Sequence, residues 1–188
     1  MLNNPLNKIF IISGIVLLID QASKILVKTN MYLGQEIYIF DWFRIFFIEN
    51  PGMAFGLAIP GIYGKLLLMI FRLCIVAYGL YYIRNLVKKS DLPNGLLMSF
   101  GLILGGAIGN IIDGVFYGLI FGYDKLFYGR VVDMLSFPFF TTDLPNWLSF
   151  LEGSDGSFTF FAPIFNIADS AIFIGLFSLL LFYRKRFQ

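Results

Sequence analysis

The sequence predicts an all-α membrane protein, four transmembrane helices forming one integral membrane domain over residues 1–188, with a small β-structure outside the bilayer. Three observations carry this. The 188 residues are 58% hydrophobic and only 14% charged, against roughly 25% charged in soluble domains. Mean hydropathy is +0.78. Four apolar runs, at about 8–28, 63–84, 95–117 and 164–183, each approach the roughly 20 residues a helix needs to cross a bilayer.

Composition also limits the chemistry. A net charge of +2 is too small to point to nucleic acid. There is no His and one Cys. That removes Ser-His and Cys-His nucleophile pairs, His/Cys zinc sites and any disulfide framework. Acid-base chemistry falls to Asp, Glu, Lys or Tyr, and no cofactor is required.

The first run is read as a span and not a cleaved leader, because Asp20 and Lys24 follow its apolar part and no A-x-A pattern occurs. Basic residues set the orientation. Lys8, then Arg84, Lys88 and Lys89, then Arg184, Lys185 and Arg186 share one side of a four-span chain, which is therefore cytoplasmic, with both termini. The connections 29–62 and 118–163 face outward and hold most of the acids.

In span one, Asp20 and Lys24 stand at i and i+4 with the acid first, the favourable order for a helical ion pair. Ser23 beside Lys24 suggests a Ser-Lys nucleophile, but adjacent helical positions diverge by about 100° and do not face each other. Residues 37–50, aromatic and β-branched, predict two short strands outside the membrane. The stretch Asn50-Pro51-Gly52-Met53-Ala54-Phe55-Gly56 then reads as a turn with little bulk. Gly52 there would let a substrate or backbone come close.

Span two carries Arg72 among apolar neighbours. It should face the bundle interior and meet a carboxylate; by depth, Asp113 and Asp20 are the candidates. Span three has Gly101, Gly105 and Gly109 at four-residue spacing, a ridge for close helix packing, and Asp113 continues the stripe. Asn110 and Asp113 form an N-x-x-D turn that Asn166 and Asp169 repeat inside span four. Intramembrane carboxylates are costly and mark function. Polar groups from all four spans lie within roughly 10–15 Å of the outer interface. Independent packing polars have no reason to share a depth, so the layer marks a site. In the second outer loop, Gly129-Arg130-Val131-Val132-Asp133-Met134 sets one carboxylate among apolar residues.

These motifs, in this order, resemble lipoprotein signal peptidase (signal peptidase II), a bacterial membrane aspartic protease family. The matching pieces are Asp20-Gln21-Ala22-Ser23-Lys24, Asn50 to Gly56, Gly105 to Asp113, Val131-Val132-Asp133 and Phe165-Asn166-Ile167-Ala168-Asp169. Each is modest alone; five in order across nearly the whole chain are specific. The resemblance implies a four-helix bundle with an outer β-cradle in the inner membrane. It implies cleavage of diacylglyceryl-modified prolipoprotein before the lipidated cysteine, with membrane lipid as the other partner and the chain acting as a monomer. The catalytic pair would be Asp133 and Asp169. Asn50, Asn110, Asp113, Asn166, Asp20 and Lys24 match supporting positions. The sequence departs from the family where Gly114 follows Asp113, a place usually held by Arg, and in longer outer loops. Arg72 or Arg130 is expected to supply the missing charge. The alternative from another class is a small proton- or ion-coupled transporter using Asp20, Asp113 and Asp169 as a relay. Two features count against it: no internal repeat is evident, and no polar path leads inward.

Overall fold

The computed structural model describes residues 4–51, 62–89, 91–143, 145, 147, 150 and 156–186. Gly52 and the rest of the turn after Pro51 lie outside the described residues. Helix α1 (Pro5–Asn30) begins where the Asn4 side chain accepts a hydrogen bond from the Leu6 amide at 3.0 Å, with Pro5 in the first turn, where its missing N–H costs nothing. Helix α2 (Ile62–Lys89) ends on Lys88 and Lys89, cations that suit a helix C-terminus. Helix α3 (Asn94–Ile112) runs on through a widened π-type turn, Asp113–Tyr117, to Ile120. Helix α4 (Ile167–Ser178) continues through a second widened turn to Arg186. All four are long and apolar enough to cross a membrane.

Helix α3 is the centre of the bundle, packed against α1 on one side and α4 on the other, with α2 alongside. The predicted glycine ridge does what its spacing suggests. A Cβ on Gly101 would stand 2.7 Å from Ile12, and one on Gly105 2.7 Å from the Ser13 carbonyl oxygen. Gly109 faces Asp20 on the same helix α1. Ser13 uses the closeness, donating to the Gly101 carbonyl at 3.0 Å. The opposite face of α3 is also bare. Gly106 abuts the Ala168 carbonyl, and Gly175 of α4 sits against Ser99 and Ile103. Two close helix pairs thus share one helix, a geometry that substitutes packing for the hydrophobic effect lost in lipid.

Outside the bundle, β1 (Glu36–Phe40) and β2 (Phe43–Asn50) form the predicted pair of strands. The segment around Asp133, expected as loop, is instead strand β3 (Val131–Ser136). A short hairpin of β4 (Phe140–Thr142) and β5 (Phe158–Phe160) stands apart. Strand β6 (Ile164–Phe165) then completes an antiparallel sheet in the order β1-β2-β3-β6. The fourth apolar run therefore starts as a strand paired to β3, and the helix begins at Ile167, three residues later than its hydropathy suggests. Alternation along β3 puts Val132 and Met134 into a core with Phe47 and Tyr117. Asp133 is left on the opposite face.

Candidate active site

Asn166 and Asp169 are not two positions on one helical face. Asn166 is the residue before the helix, in extended conformation, and the two form a reciprocal capping box. The Asn166 Oδ1 accepts from the Asp169 amide at 2.8 Å, and Asp169 Oδ2 accepts from the Asn166 amide at 3.4 Å. The Asn166 Nδ2 then donates to Asp133 Oδ1 at 2.6 Å. One amide side chain thus touches the only carboxylate of β3 and fixes the first turn that carries Asp169.

Asn110 of α3 closes the arrangement. Its Nδ2 donates to Asp169 Oδ1 at 2.7 Å, and its Oδ1 accepts from Asn166 Nδ2 at 3.2 Å and from Lys24 Nζ at 3.0 Å. Asp133 and Asp169 are joined through two amides, each with its NH2 turned toward a carboxylate. Asn50, at the end of β2 and on the same sheet face, also hydrogen-bonds Asp133. Burial, then the charge of Asp169, pushes the Asp133 carboxyl up to about 7 against the opposing pull of Asn166, Asn50 and Lys24. Two carboxyls in one partly dry site resist joint ionisation.

Beneath this pair lies a fully buried cluster. Lys24 Nζ bonds Asp20 Oδ2 at 2.9 Å and Asp113 Oδ2 at 2.8 Å. With Asn110 as the third acceptor, all three ammonium protons are used. The carboxylates reach outward from there. Asp20 Oδ1 accepts from the Ala168 amide in the first turn of α4 at 2.9 Å. Asp113 Oδ2 accepts from the Val132 amide, next to Asp133, at 3.3 Å. One lysine therefore orients two acids, and each acid holds a backbone beside one member of the Asp133–Asp169 pair. Gln21 joins them, donating to Asp20, Asp113 and the Gly109 carbonyl and accepting from the Tyr117 hydroxyl at 3.2 Å. Gln21 and Tyr117 were not singled out from sequence, although an amide one residue after Asp20 inside an apolar helix was a usable signal.

The turn at Asp113 has a purpose in this assembly. The carbonyls of Gly114 and Val115 accept from the amides of Gly129 and Phe127 at 2.9 Å each, so the chain folds back on the widened turn just before β3. Gly129 passes against the Asp113 carbonyl with no room for a side chain. Such turns recur at functional sites.

The two arginines part company. Arg130 pairs with Glu49 at 3.3 Å, and its guanidinium lies over the Tyr123 ring at 5.6 Å; Glu49 also pairs with Lys28. Arg130 therefore does not supply charge to Asp133 or Asp169. Arg72 does not meet Asp113 or Asp20, since Lys24 and Gln21 already hold both. It lines a cavity of about 470 Å3 with Asn110 and Asp169. Gly114 is explained as well: the end of Met69, one turn before Arg72, fills the space a side chain there would need.

Comparison with known proteins agrees with this architecture. A family model described as Signal peptidase (SPase) II matches residues 12–184. The chain belongs to the signal peptidase II family. It is 44% identical over 186 residues to a lipoprotein signal peptidase of Porphyromonas gingivalis (strain ATCC 33277), covering 91% of this chain and 80% of that protein. It is 38% identical over 190 residues to one of Amoebophilus asiaticus (strain 5a2), covering 96% and 79%. A bacterial membrane enzyme structure solved by the in meso method superposes with a TM-score of 0.67 at 24% identity, covering 97% of this chain and 90% of that one. A second such structure gives 0.64, also at 24%, covering 95% and 94%. These two share the fold. Membership of a peptidase family makes the chain a membrane-embedded hydrolase and leaves the transporter reading without support.

Proposed function

We propose that this chain is an aspartic endopeptidase that removes signal peptides from diacylglyceryl-modified prolipoproteins, cutting before the lipidated cysteine. The observation that carries the proposal is the convergence of Asp133 and Asp169 on one pair of amides at the outer end of the bundle. The relatives' name supports the substrate class.

Asp133, with its carboxyl raised to about 7, is the member that keeps a proton near neutral pH. Asp169 is then the base. It takes a proton from a water whose oxygen attacks the scissile carbonyl. The Asp133 O–H donates to the developing oxyanion and passes its proton to the departing amine as the C–N bond breaks. Asn110 fixes Asp169 through Oδ1 and Asn166 fixes Asp133 through Oδ1, which holds the two carboxyls in place for the reaction. The pair titrates as a unit, and its state repeats after proton exchange between the two.

The basic residues at one side of the chain support an inner-membrane protein with cytoplasmic termini and the site near the outer face. There a substrate can leave its lipid in the bilayer and present its peptide at the surface. Cleavage of a purified diacylated prolipoprotein in detergent tests the proposal. Wild type should cut before the lipidated cysteine, and Asp133→Asn and Asp169→Asn should stay folded and lose at least about a thousandfold in rate. Mutants that cut at the wild-type rate would sink it.

A further inference from the structure

Among the described residues Arg72 has no hydrogen-bond or ion-pair partner, and its Nη1 is buried. A guanidinium at membrane depth is expensive, and such groups pair with another group or serve a ligand. The carboxylates whose charge it feels are Asp169 and Asp133.

Its surroundings indicate what kind of ligand. The cavity lies between α2 and α4 with α3 as its floor. Chain directions order it by depth. Arg72, Asn110 and Asp169 stand at the outer end; Val76, Ala107 and Leu176 stand further in. From Asp169 to Leu176 the groove descends about 10 Å along α4. It is thus polar at the top and hydrocarbon-like below, the pattern of an esterified acyl chain. Charge narrows the class further. A carboxyl pair sharing one proton carries a single negative charge, which Arg72 balances. A phosphate added there would leave net negative charge in a low-dielectric site. A neutral acceptor adds none.

We propose that Arg72 donates to the ester carbonyl of an acyl glyceride whose chain lies along Ile75, Ile172 and Leu176, and so selects lipidated substrate. The inference rests on the peptidase reading above and adds a specificity-determining residue to it. The same ester chemistry occurs in bilayer phospholipids, so the test separates the two sources.

The full chain is assayed on one peptide carrying either a diacylglyceryl or a dialkylglyceryl thioether cysteine, the latter lacking both ester carbonyls. Wild type should prefer the ester by about 10-fold or more in kcat/KM, the worth of one hydrogen bond to a charged group. Arg72→Gln should bring the ratio of ester to ether rates down to about one, whatever it does to the rate common to both substrates through the charge of the carboxyl pair. Arg72→Lys should fall between. Equal wild-type rates on both substrates overturn the proposal. So does an Arg72→Gln variant that keeps the wild-type ester preference while losing both rates equally, which would mean that the arginine acts only on the carboxyl pair. Repeating the assay in nanodiscs of ester and of ether phospholipid reads the other source. If the bilayer's linkage and not the substrate's governs the rate, the site is occupied by membrane lipid and the selectivity proposal fails. Binding is also read without cleavage, as thermal stabilisation by the two lipidated cysteines. If wild type cuts neither peptide, the peptidase reading falls; ester-selective, Arg72-dependent stabilisation would still uphold the glyceride site, and its absence would remove it.

Discussion

Two cations flank Asn110 in the same bundle, and their environments are opposite. Lys24 has every proton accepted, two by carboxylates and one by an amide. Arg72 has a buried nitrogen with no acceptor. A charge the protein satisfies fully belongs to the architecture; a charge it leaves open is held for something that arrives. The lesson is that depth and residue type do not separate these roles, whereas hydrogen-bond accounting does.

The sharpest way to break the contrast is to remove each cation. Lys24→Met strands two buried carboxylates, and losing one member of a buried ionic cluster costs about 3–5 kcal/mol. We expect that variant to fail to accumulate or to melt far below wild type in detergent. Arg72→Gln should melt much closer to wild type, because among the described residues no hydrogen bond or ion pair is lost. Equal melting temperatures for the two variants would erase the distinction.

The next test concerns pH. The folded Asp133 carboxyl lies near 7, above its ordinary 3.8. The native state therefore holds this proton more tightly than the unfolded chain does. Its stabilising contribution is complete below about 3.8 and is lost as pH rises through about 7. Activity that needs the proton should fall along the same rise. Asp133→Asn should flatten the melting temperature over that window, measured by thermal scans from pH 4 to 8. A slope unchanged by the mutation would put the titration elsewhere.

Smaller effects should follow at the glycines. Gly105→Ala pushes a methyl into the Ser13 backbone 2.7 Å away and should cost about 1–3 kcal/mol. Gly14→Ala, where nothing lies within 4 Å, should be neutral or slightly stabilising. Gly114→Ala meets only the flexible end of Met69, so pairing it with Met69→Ala should restore most of any loss. Denaturant titrations in mixed micelles would rank the series.

Much of this was legible in advance because the signals were local. The spans follow from composition, the ridge at Gly101, Gly105 and Gly109 from spacing, and the Asp20–Lys24 pair from helical periodicity. Asp133 stood out as a carboxylate among apolar neighbours, but its strand did not, since pairing with β2 and β6 is a long-range choice. The start of α4 was misjudged for the same reason: Ile164 and Phe165 read as membrane helix by hydropathy, and the register with Leu135 and Ser136 claims them for the sheet. Arg72 was assigned the wrong carboxylates because depth alone ranked them, while Lys24 and Gln21 had already saturated Asp20 and Asp113.

The junction at Asn166 has one more consequence. The same residue follows a strand, caps a membrane helix and touches Asp133, so the placement of Asp169 against Asp133 is set by a single point in the chain. That makes the junction a ruler. Inserting one residue after Phe165 would advance α4 by about 1.5 Å and turn it by about 100°, carrying Asp169 out of register with a strand that stays where it is. The match between Asp133 and Asp169 would be lost without a single polar group being removed.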